Sequence, residues 1–324
     1  GRCPHIPLYP LHLFLHDLPK KGDRMTLNDA FDLYQQLVLS SSSKRGITTE
    51  TGRWQHHIAP FLGNMPLDGV KNVQIMQLRK VLEEKSLSPQ SVYHCLSLVR
   101  RVLRRAVEWE LYAGPVPVFR MPKFDNRRLR FLSEAEAAYL LQNLSSRSEL
   151  WHDITKFALY TGLRAGEIYG LMPYHVDIAI RSVKIYDTKN TLSRVIPLND
   201  IALNIVEKYY RHSVQSLPLF NHNGELPAAH YKVFRCAIKA CGFNRGIKDR
   251  RERVCFHTLR HTFASWLVQK GYPLAMVGTL LGHKDIKMTM RYAHLAPNQA
   301  RLAVSSLPNF GENQIELCNK KNSG

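Results

Sequence analysis

At 324 residues the chain is long enough for two domains, each with its own core. Lysine and arginine number 45 against 26 aspartates and glutamates, a net charge of +19, and a field of that sign favours polyanions, nucleic acid first among them. No apolar run reaches membrane-spanning length, and the six cysteines lack the Cys-x-x-Cys spacing of a zinc ribbon or redox pair, so a reduced, cytoplasmic chain with no membrane partner and no metal is expected.

Residues 1–24 read as an extension. The apolar stretch 6–18 is broken by Pro7 and Pro10 and lacks a small-residue cleavage site, which argues against a signal peptide; Cys3, His5, His12 and His16 match no common zinc spacing. Residues 25–114 carry a helical pattern and form the first expected domain. Leu27, Ala30, Phe31, Tyr34 and Val38 recur at helix spacing, and a serine run, 40–43, marks a loop that ends in Lys44 and Arg45. A stretch around Trp54 to Phe61 and a Gly63-Asn64 turn lead to a helix over 73–85. The next helix, 88–112, has Pro89 in its first turn, an apolar face of Val92, Leu96, Val99, Leu103 and Val107, and a cluster of Arg100, Arg101, Arg104 and Arg105. With no acidic neighbour before Glu108, that cluster, like Lys44 and Arg45, is expected to touch a DNA backbone.

Pro115, Pro117 and Pro122 end helical structure, and Lys123, Arg127, Arg128 and Arg130 follow. Residues 115–130 therefore read as a basic linker suited to lie across a duplex, with Arg127 and Arg128 among the expected DNA contacts. Ser133-Glu134-Ala135-Glu136 is a capping box that opens a second domain, 131–308. This domain is helical except for one insert, where Val176, Ile178 and Ile180, then Val183 and Ile185, then Val195 alternate before Pro197 ends the run. The turn residues between these runs predict a small antiparallel sheet, with Lys189 at the tip between its second and third strands. The tail, 309–324, is polar. The expected fold class is mainly α: an all-α domain, then an α+β domain with a small antiparallel sheet.

Six polar residues scattered along the second domain suit phosphodiester chemistry. Arg164 sits between Gly162 and Gly166, at a tight break between helices where it can point into a cleft. His257 and Arg260 are three apart, on one face of a helical start, while His261 falls on another face and is expected to have a structural hydrogen bond. His283 follows a glycine helix stop at Gly282, and nine residues on comes Tyr292. Each alone has a plainer reading, a surface arginine or a core tyrosine.

Together, in this order and spacing, they resemble the tyrosine recombinase (phage integrase) family. The matching strings are Thr161-Gly162-Leu163-Arg164-Ala165-Gly166-Glu167, the Thr188-Lys189-Asn190 hairpin followed by Ser193-Arg194-Val195-Ile196-Pro197-Leu198, His257-Thr258-Leu259-Arg260-His261-Thr262-Phe263-Ala264, and Leu281-Gly282-His283 followed by Tyr292. The match covers roughly 131–307. The first domain is more loosely similar to the family's core-binding domain, notably over 57–63 and in its arginine-rich last helix. The resemblance implies a two-domain, C-shaped DNA clamp, with a SAM-like all-α core-binding domain before the catalytic one. It places Arg164, Lys189, His257, Arg260, His283 and Tyr292 at catalytic positions and Glu167 at a supporting acidic one; Lys184 is a second lysine in the same sheet. An arm-binding domain often precedes these two, and the expectation is a simpler recombinase or a truncated chain.

The family's reaction, as implied, is attack by the tyrosine on a backbone phosphate to give a 3′-phosphotyrosyl link and a free 5′-hydroxyl, then reversal by a new strand. The residue types agree with it. Two guanidinium forks match the oxygens of a phosphate gathering charge. A tyrosine with a pKa of about 10 needs a proton acceptor or a strongly cationic site. His257 is the candidate base, His283 a hydrogen-bond donor to the phosphate, and Lys189 the donor to the leaving oxygen. No cofactor, metal or ATP is expected. Double-stranded DNA is the expected partner, bound as a tetramer on two sites, with a monomer or dimer free in solution. The tail from Ala296 to Leu317 carries apolar residues that suit either packing on a neighbouring subunit in a closed ring or a helix folded back on its own domain. Two alternatives stay open: DNA relaxation by a type IB topoisomerase-like monomer, and a non-catalytic DNA-binding protein.

Overall fold

The computed structural model describes residues 24–41, 44–125, 130–186, 193–221, 224–225, 227–297 and 304–307, and divides into two compact units, 1–126 and 127–324. In the first unit α1 (Leu27–Leu37) begins at a reciprocal cap, in which Thr26 Oγ1 accepts from the Asp29 amide and the Asp29 carboxylate accepts from the Thr26 amide. Helix α2 (Lys44–Arg53) runs directly into a wide π-helical stretch, Trp54–Gly63, that holds Pro60. Lys44 and Arg45 thus open a helix instead of closing a loop. Then come α3 (Asn72–Glu84) and α4 (Pro89–Glu108), the latter capped by Ser88, whose hydroxyl accepts from the Ser91 amide.

The apolar stripes of these helices meet in one core that buries Leu27, Phe31, Trp54, Ile58, Leu62, Leu78, Leu96 and Leu103. Full burial of each such side chain stabilises the unit by roughly 1.5–3 kcal/mol. Phe31 and Trp54 stack with centroids 4.0 Å apart, and Trp54 Nε1 donates to Asn28 Oδ1 at 3.0 Å, so the indole is both packed and satisfied. Val107, expected on the apolar face, lies exposed near the end of α4.

The second unit starts with α5 (Glu134–Ser145), opened by the Ser133–Glu136 capping box, with Arg130 paired to Glu136. Helices α6 (Glu149–Thr161) and α7 (Ala165–Tyr169) lead to an antiparallel sheet of β1 (Val176–Asp177), β2 (Ser182–Tyr186) and β3 (Ser193–Pro197) in the order β1-β2-β3. The chain continues through α8 (Asp200–Tyr210), α9 (Tyr231–Ala240), α10 (Phe256–Gln269) and α11 (Leu274–Leu281) to 3₁₀ turns at Ile286–Met288 and Met290–Leu295. The structure is mainly helical with one small antiparallel sheet, as the sequence implied.

The sheet differs in detail from the alternation read in the sequence. Strand β1 stops at Asp177, whose carboxylate accepts from the Ile180 amide and turns the chain, leaving Ile180 exposed. Val195 faces solvent and Ile196 is the buried residue, which puts Arg194 on the inward face opposite Ile185. In the core of this unit, Trp151 is ringed by Tyr169, Tyr231, Phe234 and Phe256. Helix α10 packs against α6 and the Met290–Leu295 turn. The entering segment is stitched to it, with the Leu132 amide donating to Thr262 Oγ1 at 2.9 Å and Trp266 Nε1 donating to the Leu132 carbonyl at 3.1 Å. Among the described residues no helix is long and apolar enough to cross a membrane.

Candidate active site

Arg164 stands where two helices break. Gly162 ends α6 in the left-handed region (φ 64°), where a Cβ would also sit 2.4 Å from the Phe263 ring, and Arg164 then caps α7. Its amide and its guanidinium both donate to Glu167, at 2.8 and 2.9 Å, and its side chain is 42% exposed. The same Glu167 accepts a fork from Arg194, Nη1 at 3.0 Å and Nη2 at 2.7 Å, while Arg194 Nε donates to the Leu280 carbonyl at 3.3 Å. Burial pushes the Glu167 carboxyl up, but the hydrogen bonds from Arg194 and the Arg164 amide, and both positive charges, outweigh it and hold the group below the usual carboxylate range.

Arg260 lies one turn into α10 and is 3% exposed. Its Nη1 donates to the Gly162 carbonyl at 2.9 Å and its Nη2 to the Leu281 carbonyl at 2.5 Å, so it caps the ends of α6 and α11 together. Burial, with the neighbouring charges of Arg164 and Arg194, lowers its proton affinity to about 9, which leaves it charged at neutral pH. Three arginines thus gather around one carboxylate, leaving an excess of positive charge suited to a phosphate.

The histidines are held differently. His257, in the first turn of α10, is exposed. His261, one turn on, is buried, and its ring meets that of His257 edge-on with centroids 4.7 Å apart. His283 follows Gly282, another left-handed residue (φ 66°), and its Nδ1 lies 2.8 Å from Thr289 Oγ1. Burial, then the charges of Arg260, Arg164, Arg291 and Arg194, lower His283 to about 4, so its ring is neutral at pH 7. Either partner can donate in this bond; if Thr289 donates to Nδ1, the neutral ring keeps an N–H at Nε2 for an acceptor outside. Tyr292, in the last turn, is 5% exposed, and its hydroxyl lies 2.6 Å from His261 Nδ1. Burial pushes its pKa up to about 12, against the pull of Arg291 and Arg260.

The sequence reading anticipated a structural hydrogen bond for His261, and its partner is the candidate nucleophile. Arg194 and Thr289 had no assigned role. The signal for Arg194 was the strand period, since it lies two residues before buried Ile196. Lys189, Arg127 and Arg128 lie outside the described residues, as do the side chains of Lys44 and Arg45 and the tail 309–324.

On α4 the arginine cluster is more tightly held than its local sequence suggested. Arg101 donates to Tyr34 Oη at 2.9 Å and to Glu50 at 2.7 Å, and Arg105 pairs with Glu108 at 2.5 Å. Arg100 and Arg104 have no ion pair among the described residues, and Arg104 is exposed.

A mainly helical unit with one small three-stranded antiparallel sheet, whose helix ends bring together arginines, histidines and a buried tyrosine, has the architecture of the tyrosine recombinases. A lambda integrase, solved as a tetramer bound to a Holliday junction, shares the fold with a TM-score of 0.68 at 19% identity, over 84% of this chain and 78% of that one. The phage integrase family model matches residues 130–299, more than half of the chain, and the chain belongs to that family. An integrase of Salmonella phage P22 is 29% identical over 243 residues, covering 70% of this chain and 60% of the relative. A tyrosine recombinase XerD of Staphylococcus aureus is 26% identical over 260 residues, covering 76% and 84%. The chain thus spans about 60% of the length of the phage P22 integrase it matches.

Proposed function

We propose that the chain is a site-specific DNA recombinase that cuts and rejoins strands through a 3′-phosphotyrosyl intermediate. The observation that carries this is the convergence of Arg164, Arg260, His257, His283 and Tyr292, from four separate stretches of sequence, on one cationic site with a hydroxyl inside it. Arg164 and Arg260 bind the phosphate oxygens. Arg260 retains N–H groups beyond the two bound to carbonyls, and Arg164 is exposed enough to reach a ligand. Neutral His283 donates from Nε2 to the same phosphate. Glu167 holds Arg164 in place, and Lys189 protonates the leaving 5′-oxygen. The phosphotyrosyl bond conserves the energy of the broken one, and the positive charge is supplied by side chains.

Residues 25–114 and the basic linker 115–130 hold double-stranded DNA, with Arg100 and Arg104 as contacts on α4, while 131–308 carry the chemistry. The lambda integrase of like fold, a tetramer on a Holliday junction, supports assembly of four subunits on two sites.

The test is covalent capture. Duplexes of random and genomic sequence, each nicked beside the cleavage position so that the short 5′ fragment diffuses away, trap the adduct for sequencing. The wild-type chain is expected to give denaturant-resistant adducts enriched for an inverted repeat, and Tyr292→Phe to bind the same DNA without any adduct. Adduct at wild-type level from Tyr292→Phe, or adducts without sequence preference, would count against the proposal.

A further inference from the structure

We propose that His261 takes the proton from Tyr292 as the phenolic oxygen attacks the phosphate, the role that the sequence pattern points to His257 for; the inference rests on the strand-transfer reading above. Tyr292 Oη and His261 Nδ1 are 2.6 Å apart between two buried side chains. That lies within the roughly 2.6–3.2 Å reach of a general base in contact with its acid. His257 is exposed and meets His261 edge-on at 86°, so His261 is in ring contact with both its neighbour histidine and the nucleophile.

A buried phenol whose pKa stands at about 12 offers almost no tyrosinate at neutral pH and needs an acceptor at its oxygen. The titratable and charged groups around the pair are Arg260 and His257 on α10 and Arg291 on the turn that carries Tyr292. Beyond them stand His283 after α11, Arg164 after α6 and Arg194 on β3. The permanent charge is net positive, since these four guanidiniums outweigh the one carboxylate among them, Glu167, which Arg164 and Arg194 share. It favours tyrosinate, and the arriving phosphate supplies the negative charge that accompanies a new imidazolium.

In the step the Oη–H bond breaks and an Nδ1–H bond forms. The phenolic oxygen makes the new O–P bond, the bond from phosphorus to the 5′-oxygen breaks, and that oxygen takes its proton from the cationic general acid of the strand-transfer reading. Rejoining runs the sequence backwards, with the His261 imidazolium returning its proton to Tyr292.

The experiment uses the full chain and the nicked duplexes recovered by covalent capture. Single-turnover rates of adduct formation are followed against pH with natural tyrosine or a fluorinated, more acidic tyrosine at 292. With His261 as acceptor, the rising limb of the wild-type profile stays in place on fluorination, and it persists in His257→Asn. In His261→Asn, whose amide keeps a hydrogen bond near Nδ1 without titrating, the rate at neutral pH falls by roughly 10²–10⁴-fold. Its limb then moves to lower pH with the fluorinated phenol.

A wild-type limb that follows the phenol, its loss in His257→Asn, or a His261→Asn chain that reacts at the wild-type rate or faster overturns the proposal. If melting shows that His261→Asn does not fold, the wild-type and His257→Asn profiles decide. Absence of any adduct from the wild-type chain sinks the strand-transfer reading itself, whereas adducts with the wrong pH behaviour sink the His261 assignment alone.

Discussion

Glu167 serves two arginines with opposite burdens. Arg194 is 14% exposed and forks onto the carboxylate, whereas the Arg164 side chain is 42% exposed and its guanidinium reaches it by one bond. Removing a partner from a buried ion pair costs about 3–5 kcal/mol, and from an exposed one about 0–1 kcal/mol. Arg194→Ala is therefore expected to lower urea stability by about 3 kcal/mol. Arg164→Ala is expected to leave stability within about 1 kcal/mol of wild type while abolishing adduct formation. Equal loss of stability in both would show that the two arginines are held alike. Arg260 has both duties at once, since it caps two helix ends and faces the site, so stability and chemistry should fall together when it is replaced.

At the scale of the element, α10 does most of the positioning. One helix exposes His257 at its mouth, buries Arg260 and His261 a turn below, and fixes its own depth through Thr262 and Trp266 to Leu132. The turn after α11 is the second device. At Gly282 (φ 66°) a Cβ would lie 2.8 Å from Arg194 Cδ, so Gly282→Ala meets both a left-handed backbone and a clash. The backbone alone costs about 1–2 kcal/mol. The expected result is a lowered melting temperature and, because His283 is the next residue, slower adduct formation with DNA affinity retained; unchanged kinetics would mean that His283 is placed by Thr289 alone.

Such elements were largely legible. The stripe on α4, the Ser133 capping box and the two glycine stops announce themselves locally, because helix period and left-handed turns depend on near neighbours. Contacts between distant residues do not. Glu50 neutralising Arg101, Arg194 reaching Glu167 and His261 meeting Tyr292 join positions 27 to 51 residues apart. Strand β1 ended early because one aspartate bound a backbone amide that the alternation of Val176, Ile178 and Ile180 did not reveal.

For the whole molecule, acid should act through a few identifiable groups. His283 is lowered from 6.5 to about 4 in the folded chain, so folding favours its neutral form. The unfolded state binds the proton first, and stability falls as pH drops from 6.5 toward about 4. At Asp153, burial pushes the carboxyl up, but hydrogen bonds from Lys208, His152 and Tyr209 more than offset it and leave the group below its usual 3.8. Glu136 and Glu167 are lowered likewise, so these carboxylates contribute above their unfolded values and lose that contribution as pH falls through the folded ones. The melting temperature is expected to decline in two stages on acidification, and His283→Gln should reduce the first, to which His57, His94 and His175, each lowered from 6.5 by burial, also contribute. A profile flat from pH 7 to 5 in the wild-type chain would contradict the burial of that imidazole.

The closeness of Gly282 to Arg194 also bears on descent. A lineage that enlarges position 282 must move or shorten the side chain at 194, and either change loosens its hold on Glu167. The two sites, 88 residues apart in sequence, are therefore expected to drift as a pair. Among descendants of this chain, an asparagine at 282, the residue most tolerant of a left-handed backbone after glycine, should be found beside a smaller side chain at 194 and a neutral one at 167.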